Sequence, residues 1–216
     1  FIISNKEDSA TPKNGDKIIA FGSENALPYL ALKKYCINSG KDDFATHPIE
    51  LKRDVSEVGA ILKNDMARAN FSYQYYVIAD PLFTSLSNAP GFSLLKKKKL
   101  LSDELGALIP QASLFINRNT YQKKASLFSP YLNDLRARMD KIINRPDEVV
   151  NETKDYNETF FKEKFGFSLS LIKPVQEHNG FALFDYKRQY GANELNDFLQ
   201  YVDYGTSFDD SYFINV

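Results

Sequence analysis

The sequence predicts an α/β fold with mainly parallel strands, and three observations predict it. Through residues 1–90, short apolar runs of strand character alternate with segments whose apolar residues recur three and four apart. Two of those runs stop at a turn signal, Gly22 or Asp80-Pro81, just before a helical pattern opens, as buried strands do when they turn into helices. From Tyr121 onward the periodicity is helical almost throughout.

The elements follow in order. Phe1–Ser4 reads as a strand, followed by a polar loop with Pro12, Asn14 and Gly15. Lys17–Phe21 is a strand that stops at Gly22. After the polar trio Ser23-Glu24-Asn25, a helix runs from Ala26 to Asn38 and ends at Ser39-Gly40. The first turn of such a helix offers backbone N–H groups without internal partners and the positive end of the dipole, a ready site for an anion or polar head group. Plain capping by Ser23 or Asn25 is the competing reading of the same residues.

A short strand is expected at Ile49–Leu51, then a helix opened by Asp54 or Ser56 with Val55, Val58, Ile61, Leu62 and Met66 on its apolar side. Tyr73–Ala79 is rich in strand formers and stops at Asp80-Pro81, where Pro81 suits the first turn of a helix over Leu82–Leu86. Tyr73, Tyr75 and Tyr76 are expected to alternate between core and surface. Phe92–Leu95 reads as a strand, Ser102–Gly106 as the start of a loop, and Ala112–Ile116 as a compact strand. A helix over Tyr121–Asn144 places Leu127, Tyr131, Leu135, Met139, Ile142 and Ile143 on one face, with Ser129 or Pro130 as a dividing point. Helices near 146–156 and 158–164 follow, and a last one opens at Ala192-Asn193 and carries Leu195, Phe198, Leu199 and Val202.

Charge is balanced, 27 basic against 28 acidic residues in 216, so no basic excess points to nucleic acid. The run Lys96–Lys99 is expected to be a solvated loop, the alternative being contact with anionic lipid or nucleic acid. The one cysteine, Cys36, excludes an internal disulfide and a multi-cysteine metal site, and its place in an apolar helix predicts a buried, inert thiol. His47 and His178 lack metal-ligand spacing and are expected as surface or loop residues, and neither metal nor cofactor is predicted. No apolar stretch is long enough to span a membrane. A nucleophile elbow, a phosphate loop and a dinucleotide fingerprint are all absent. The opening Phe1-Ile2-Ile3-Ser4 has no initiator methionine, which predicts a processed or truncated start.

Several of these pieces, in their order, resemble the solute-binding proteins of bacterial ABC importers, in the branch that handles sulfonates, nitrate, taurine and thiamine precursors. Gly15-Asp-Lys-Ile-Ile-Ala20 is similar to that branch's Gly-Lys-Lys-Ile-Ala strand, and Asp80-Pro81 to its Glu-Pro strand end. Pro110 through Asn117 is similar to its Pro-x-Ala-x-Leu-Phe-Val-Asn strand, and Asn144-Arg-Pro-Asp-Glu148 to its Asn-Pro-Glu-Glu-Ala helix start. The likeness covers most of the chain and rests on order and spacing, since no single motif is diagnostic.

The resemblance implies a type II periplasmic-binding-protein fold, two lobes joined by a hinge. Residues 1–90 would be ligand-binding lobe two, with 1–5 as hinge strand, and 91–216 the return strands and helical part of lobe one. The family's first half-lobe has no counterpart here, so the resemblance implies a fragment, a processed chain or a reduced member. It also implies a periplasmic or extracytoplasmic monomer, compatible with a lipid anchor, that hands a small-molecule solute to a membrane permease. In such folds ligands lie beyond the carboxyl ends of the strands. That puts Phe21, Gly22, Ser23, Glu24 and Asn25 at one strand end, Asp80 and Pro81 at the next, and Gln111 near the return strand. Phe21, Tyr29 and Phe83 are candidate aromatic walls. Two carboxylates, Glu24 and Asp80, favour a zwitterionic or nitrogen-rich heterocycle over a purely anionic solute. Asp80 in place of Glu shortens the carboxylate's reach. The alternatives are an enzyme on the same scaffold, with Glu24 or Asp80 as acid or base, and a surface interaction module without a ligand.

Overall fold

A computed structural model describes residues 1–39, 44–106, 109, 116–181, 192–202, 204, 205, 207 and 208. The chain divides into two compact units, Phe1–Ile109 with Asp197–Ser207, and Pro110–Asn196 with Phe208–Val216. The predicted α/β class holds: the first unit is built on a five-stranded mixed sheet.

That sheet comprises β1 (Ile2–Ser4), β2 (Ile18–Phe21), β3 (Ile49–Lys52), β4 (Tyr75–Val77) and β5 (Lys97–Lys99), in spatial order β3-β2-β4-β1-β5. β2 runs parallel to both β3 and β4, while β1 lies antiparallel between β4 and β5. Helices cover both faces. On one, α1 (Leu27–Asn38) and α4 (Leu101–Leu105) bury Ala31, Leu32, Tyr35, Cys36 and Leu101 against Ile2, Ile18, Ala20, Tyr75 and Val77. On the other, α2 (Val55–Arg68) and α3 (Leu82–Leu86) bury Val58, Leu62, Met66 and Leu86 against Ile3, Ile19, Tyr76 and Ile78. The strand alternation therefore distributes side chains between two cores. This corrects the expectation for the tyrosines, because Tyr75 and Tyr76 are both fully buried, one on each side.

Local signals position the helices. Asp54 caps α2 by accepting from the backbone N–H of Ser56 at 2.9 Å and of Glu57 at 3.3 Å. α2 approaches α3 so closely that a Cβ at Gly59 would stand 2.4 Å from Leu82 Cδ2, so only glycine fits without displacement. Cys36 is buried as predicted. His47 lies in the loop before β3, as expected of a surface or loop residue, but is buried there, with Nδ1 3.1 Å from the Asp16 carbonyl oxygen.

Three expectations after Pro90 are overturned. Phe92–Leu94 is a 3-10 turn entered through left-handed Gly91, not a strand, and the strand is the lysine run itself. Lys97 points inward and is 2 % exposed, its Nζ donating to the Asp8 carbonyl at 2.9 Å and lying 3.8 Å from the Glu104 carboxylate. Lys96 pairs with Glu7 at 2.5 Å, Lys99 with Asp8 at 3.0 Å, and Lys98 lies over the Phe92 ring at 4.8 Å. Each lysine has a place, and a lysine-lined edge strand discourages pairing with other sheets. Ser102–Gly106, expected as the start of a loop, instead falls in α4 (Leu101–Leu105) and its C-cap Gly106, and Leu101 enters the core.

The second unit is described by helices α5 (Arg118–Asn144), α6 (Pro146–Thr153), α7 (Glu158–Phe165) and α8 (Ile172–Gln176). Asn117 caps α5 through the Thr120 N–H at 3.1 Å, and Asn157 caps α7 through the Thr159 N–H at 2.8 Å. Pro130 sits inside α5 without dividing it; the one departure from helical backbone is at Lys124. Leu169, Ile172 and Val175 are this unit's buried apolar residues among those described. The face expected for α5 splits: Leu135, Met139, Ile142 and Ile143 are half-buried, whereas Leu127 and Tyr131 are exposed. A stripe drawn at strict four-residue spacing drifts around the helix, because four residues overshoot one turn by about 40°. The last helix, α9 (Ala192–Tyr201), contributes Phe198 to a small cluster with Leu30 and Val202 in the first unit.

Candidate functional site

The parallel strands fix which residues meet at their carboxyl ends. Ile18 faces Tyr75 and Ile19 faces Tyr76. β2 and β4 run in the same direction, so the two sequence-predicted clusters, after Phe21 and after Val77, both lie at the carboxyl edge of the sheet. β1 begins at this edge too, where Ile78 N–H donates to the Phe1 carbonyl at 3.1 Å.

At the end of β2, Phe21 is half-buried and packs against both cores. Gly22 turns the chain at φ +90°, and its N–H donates to the Lys52 carbonyl at 2.9 Å. A Cβ there would stand 2.7 Å from the Ala26 Cβ, so both the backbone angle and the space demand glycine. Ser23, Glu24 and Asn25 are exposed in a tight turn closed by Ala26 N–H to the Ser23 carbonyl at 2.9 Å.

The competing reading, that Ser23 or Asn25 merely caps the helix, fails. The N-cap is Ala26, with no side-chain hydrogen bond, and no acidic residue occupies the first turn of α1. The donor set is also narrower than expected. Tyr29 and Leu30 N–H both turn back to the Ala26 carbonyl, at 3.0 and 3.1 Å, and Pro28 has no N–H to offer. Left without a hydrogen-bond partner among the described residues are the backbone N–H groups of Ser23, Glu24, Asn25 and Leu27. Four backbone donors in the turn and first residue of the helix are thus open to an outside acceptor.

At the end of β4, the Asp80–Pro81 peptide bond is cis. Asp80 is half-buried, and its Oδ1 accepts from Thr84 N–H at 3.1 Å and Thr84 Oγ1 at 2.8 Å, holding α3 in place. Of the expected aromatic walls, Phe83 is committed elsewhere: its ring stacks on Phe1 at 3.8 Å and leans on Phe92 at 5.8 Å. Tyr29 meets Phe44 edge-on at 5.4 Å, and its hydroxyl is pushed up first by burial and then by the charge of Glu24. That coupling places Glu24 near the same ring. Gln111 lies outside the described residues.

The opposite edge, where β2, β3 and β4 begin, was not singled out from sequence. It carries an open depression of about 460 Å³ lined by Lys17, Pro48, Ile49, Glu50, Ser72 and Tyr73. Here the polar groups satisfy one another. Tyr73 Oη donates to Glu50 Oε2, and Lys52 Nζ lies 2.5 Å from Glu50 Oε1. Those partners, Lys52 first, hold the Glu50 carboxyl below its usual range, and burial with Glu50 pushes the Tyr73 hydroxyl up to about 12. Behind them buried Asp65 accepts from Ser72 N–H at 3.0 Å, Ser72 Oγ at 3.1 Å and Tyr76 Oη at 2.6 Å. The only sequence trace of this network is a lone acid inside the apolar pattern of α2.

Comparison with family models, with curated proteins and with solved structures finds no match.

Proposed function

We propose that this chain is the extracytoplasmic solute-binding component of an ABC importer, and that its first unit holds a small polar or heterocyclic solute at the carboxyl edge of the sheet. What supports the reading is that four backbone donors without a partner among the described residues, from Ser23, Glu24, Asn25 and Leu27, and the carboxylate of Asp80 follow two parallel strands to the same edge of the sheet. Donors on one side and an acid on the other suit an amphoteric ligand, such as a zwitterion or a nitrogen heterocycle carrying a carbonyl. Phe21 and Tyr29 supply apolar surface beside them, and Glu24 adds a second acid.

The course of β1 supports the same reading. It is the antiparallel strand in an otherwise parallel set and enters from the ligand edge, as a hinge strand from another lobe would. The solute would pass from this site to a membrane permease. Among the described residues no helix is long and apolar enough to cross a membrane, so in this reading membrane work belongs to that partner.

Native mass spectrometry of gently purified protein, set against its denatured mass, tests the proposal. A ligand-sized excess that disappears on denaturation supports it and supplies the solute's mass; identical masses before and after soaking in a growth extract count against it.

A further inference from the structure

A second surface, in the helical unit, has a different character. None of the side chains of α5 is buried, although its inner stripe packs on α6 and α8. At about 100° per residue beyond the backbone departure at Lys124, Leu127 lies about 60–120° around the helix from Ile142, Leu135 and Met139, with Tyr131 between it and them. They stand 67 % and 55 % exposed. From Arg118 to Asn133 the helix contains Arg118, Lys123 and Lys124 and not one Asp or Glu. Lys123 and Lys124 are exposed and make no ion pair among the described residues. The first acid, Asp134, is already held by Arg138 at 2.7 Å.

We propose that the first half of α5 docks on an anionic lipid surface. Lys123 and Lys124 would lie against the head groups, and Leu127 and the Tyr131 ring would enter the boundary with the acyl chains. A basic helix with a few apolar side chains, one of them an amphipathic aromatic, is suited to that interface. Size decides against a protein partner: two side chains fall far short of the roughly 800 Å² per partner that a stable protein interface covers. A lipid surface needs no such area, since charge and shallow insertion add up over a continuous target. The surface is independent of the solute site and stands whether or not that site binds.

The test is co-sedimentation of the full chain with phosphatidylcholine vesicles, with and without phosphatidylglycerol. Binding is expected only to the anionic vesicles and should weaken as salt is raised. Replacing Lys123→Glu together with Lys124→Glu should reduce the bound fraction to that of the lipid-free control. Leu127→Ser with Tyr131→Ser should lower it several-fold, with the circular dichroism spectrum unchanged because these positions are exposed. Lys96→Gln with Lys98→Gln, on β5, should leave binding intact. Four results would overturn the proposal: no binding to anionic vesicles, equal binding to neutral ones, equal retention on an acidic polymer such as heparin, or loss of binding through the β5 variants and not the α5 variants.

Discussion

The two ends of the parallel strands are built from similar residue types and do opposite things with them. Where β2, β3 and β4 begin, Asp65, Ser72 and Tyr76 close one network and Glu50, Tyr73 and Lys52 another, each acid shared among donors of the protein itself. Where the strands end, the turn after β2 leaves the N–H groups of Ser23, Glu24, Asn25 and Leu27 without acceptors among the described residues, at the edge that also carries Asp80, itself an acceptor for Thr84. Polar groups that satisfy each other hold a fold, and those held in place with spare capacity are available to a ligand. A depression alone is therefore a poor guide: one of about 460 Å³ lies at the self-satisfied end.

Substitutions at the two ends should separate stability from binding. The largest effect is expected at Asp65, where Ala leaves the Tyr76 hydroxyl and Ser72 N–H unpaired in a closed environment. Urea unfolding should show a loss of about 2–4 kcal/mol with solute affinity unchanged in the folded protein. Gly22→Val forces a branched side chain into φ +90° and against Ala26. A loss of about 1–3 kcal/mol is expected together with abolished solute binding, because the donor turn must move. Asp80→Asn keeps an oxygen for Thr84 but removes the charge. Stability should change by less than about 1 kcal/mol while affinity for a cationic or zwitterionic solute falls about tenfold or more, by titration calorimetry.

The smallest effect belongs to Glu50→Gln, about a few tenths of a kcal/mol, since the carboxylate is nearly half exposed and screened. Its sign with pH is set by the depressed carboxyl: the contribution is full above the ordinary glutamate range and is lost as pH falls through the lowered value. The variant should show a flatter stability profile across that acid range and unaltered solute binding. A binding defect in Glu50→Gln and none in Asp80→Asn would reverse the comparison.

What the sequence disclosed follows from which signals are local. The strand–Gly22–helix unit, the Asp54 cap with its apolar periodicity, and the Asp80-Pro81 stop before Leu82–Leu86 all lie within one turn of their cause, and each stands where expected. The lysine strand was hidden because its order depends above all on partners far along the chain, Glu7 and Asp8. The twin burial of Tyr75 and Tyr76 depends on helices covering both faces, which no alternation within one strand reveals. At the candidate site the residues were legible and their hydrogen bonds were not. Nothing local indicates that Ala26 would be the N-cap, that two N–H groups of α1 would return to its carbonyl, or that Phe83 would stack on Phe1.

The central claim, that the carboxyl edge and not the opposite edge takes the solute, is tested most directly by amide hydrogen exchange. The protein as purified would be compared with the same protein stripped by unfolding, washing and refolding. Slower exchange in the purified form at Ser23, Glu24, Asn25 and Leu27, with Glu50, Ser72 and Tyr73 unchanged, is the predicted result. Protection confined to Glu50, Ser72 and Tyr73, or identical exchange in the two forms, would contradict it.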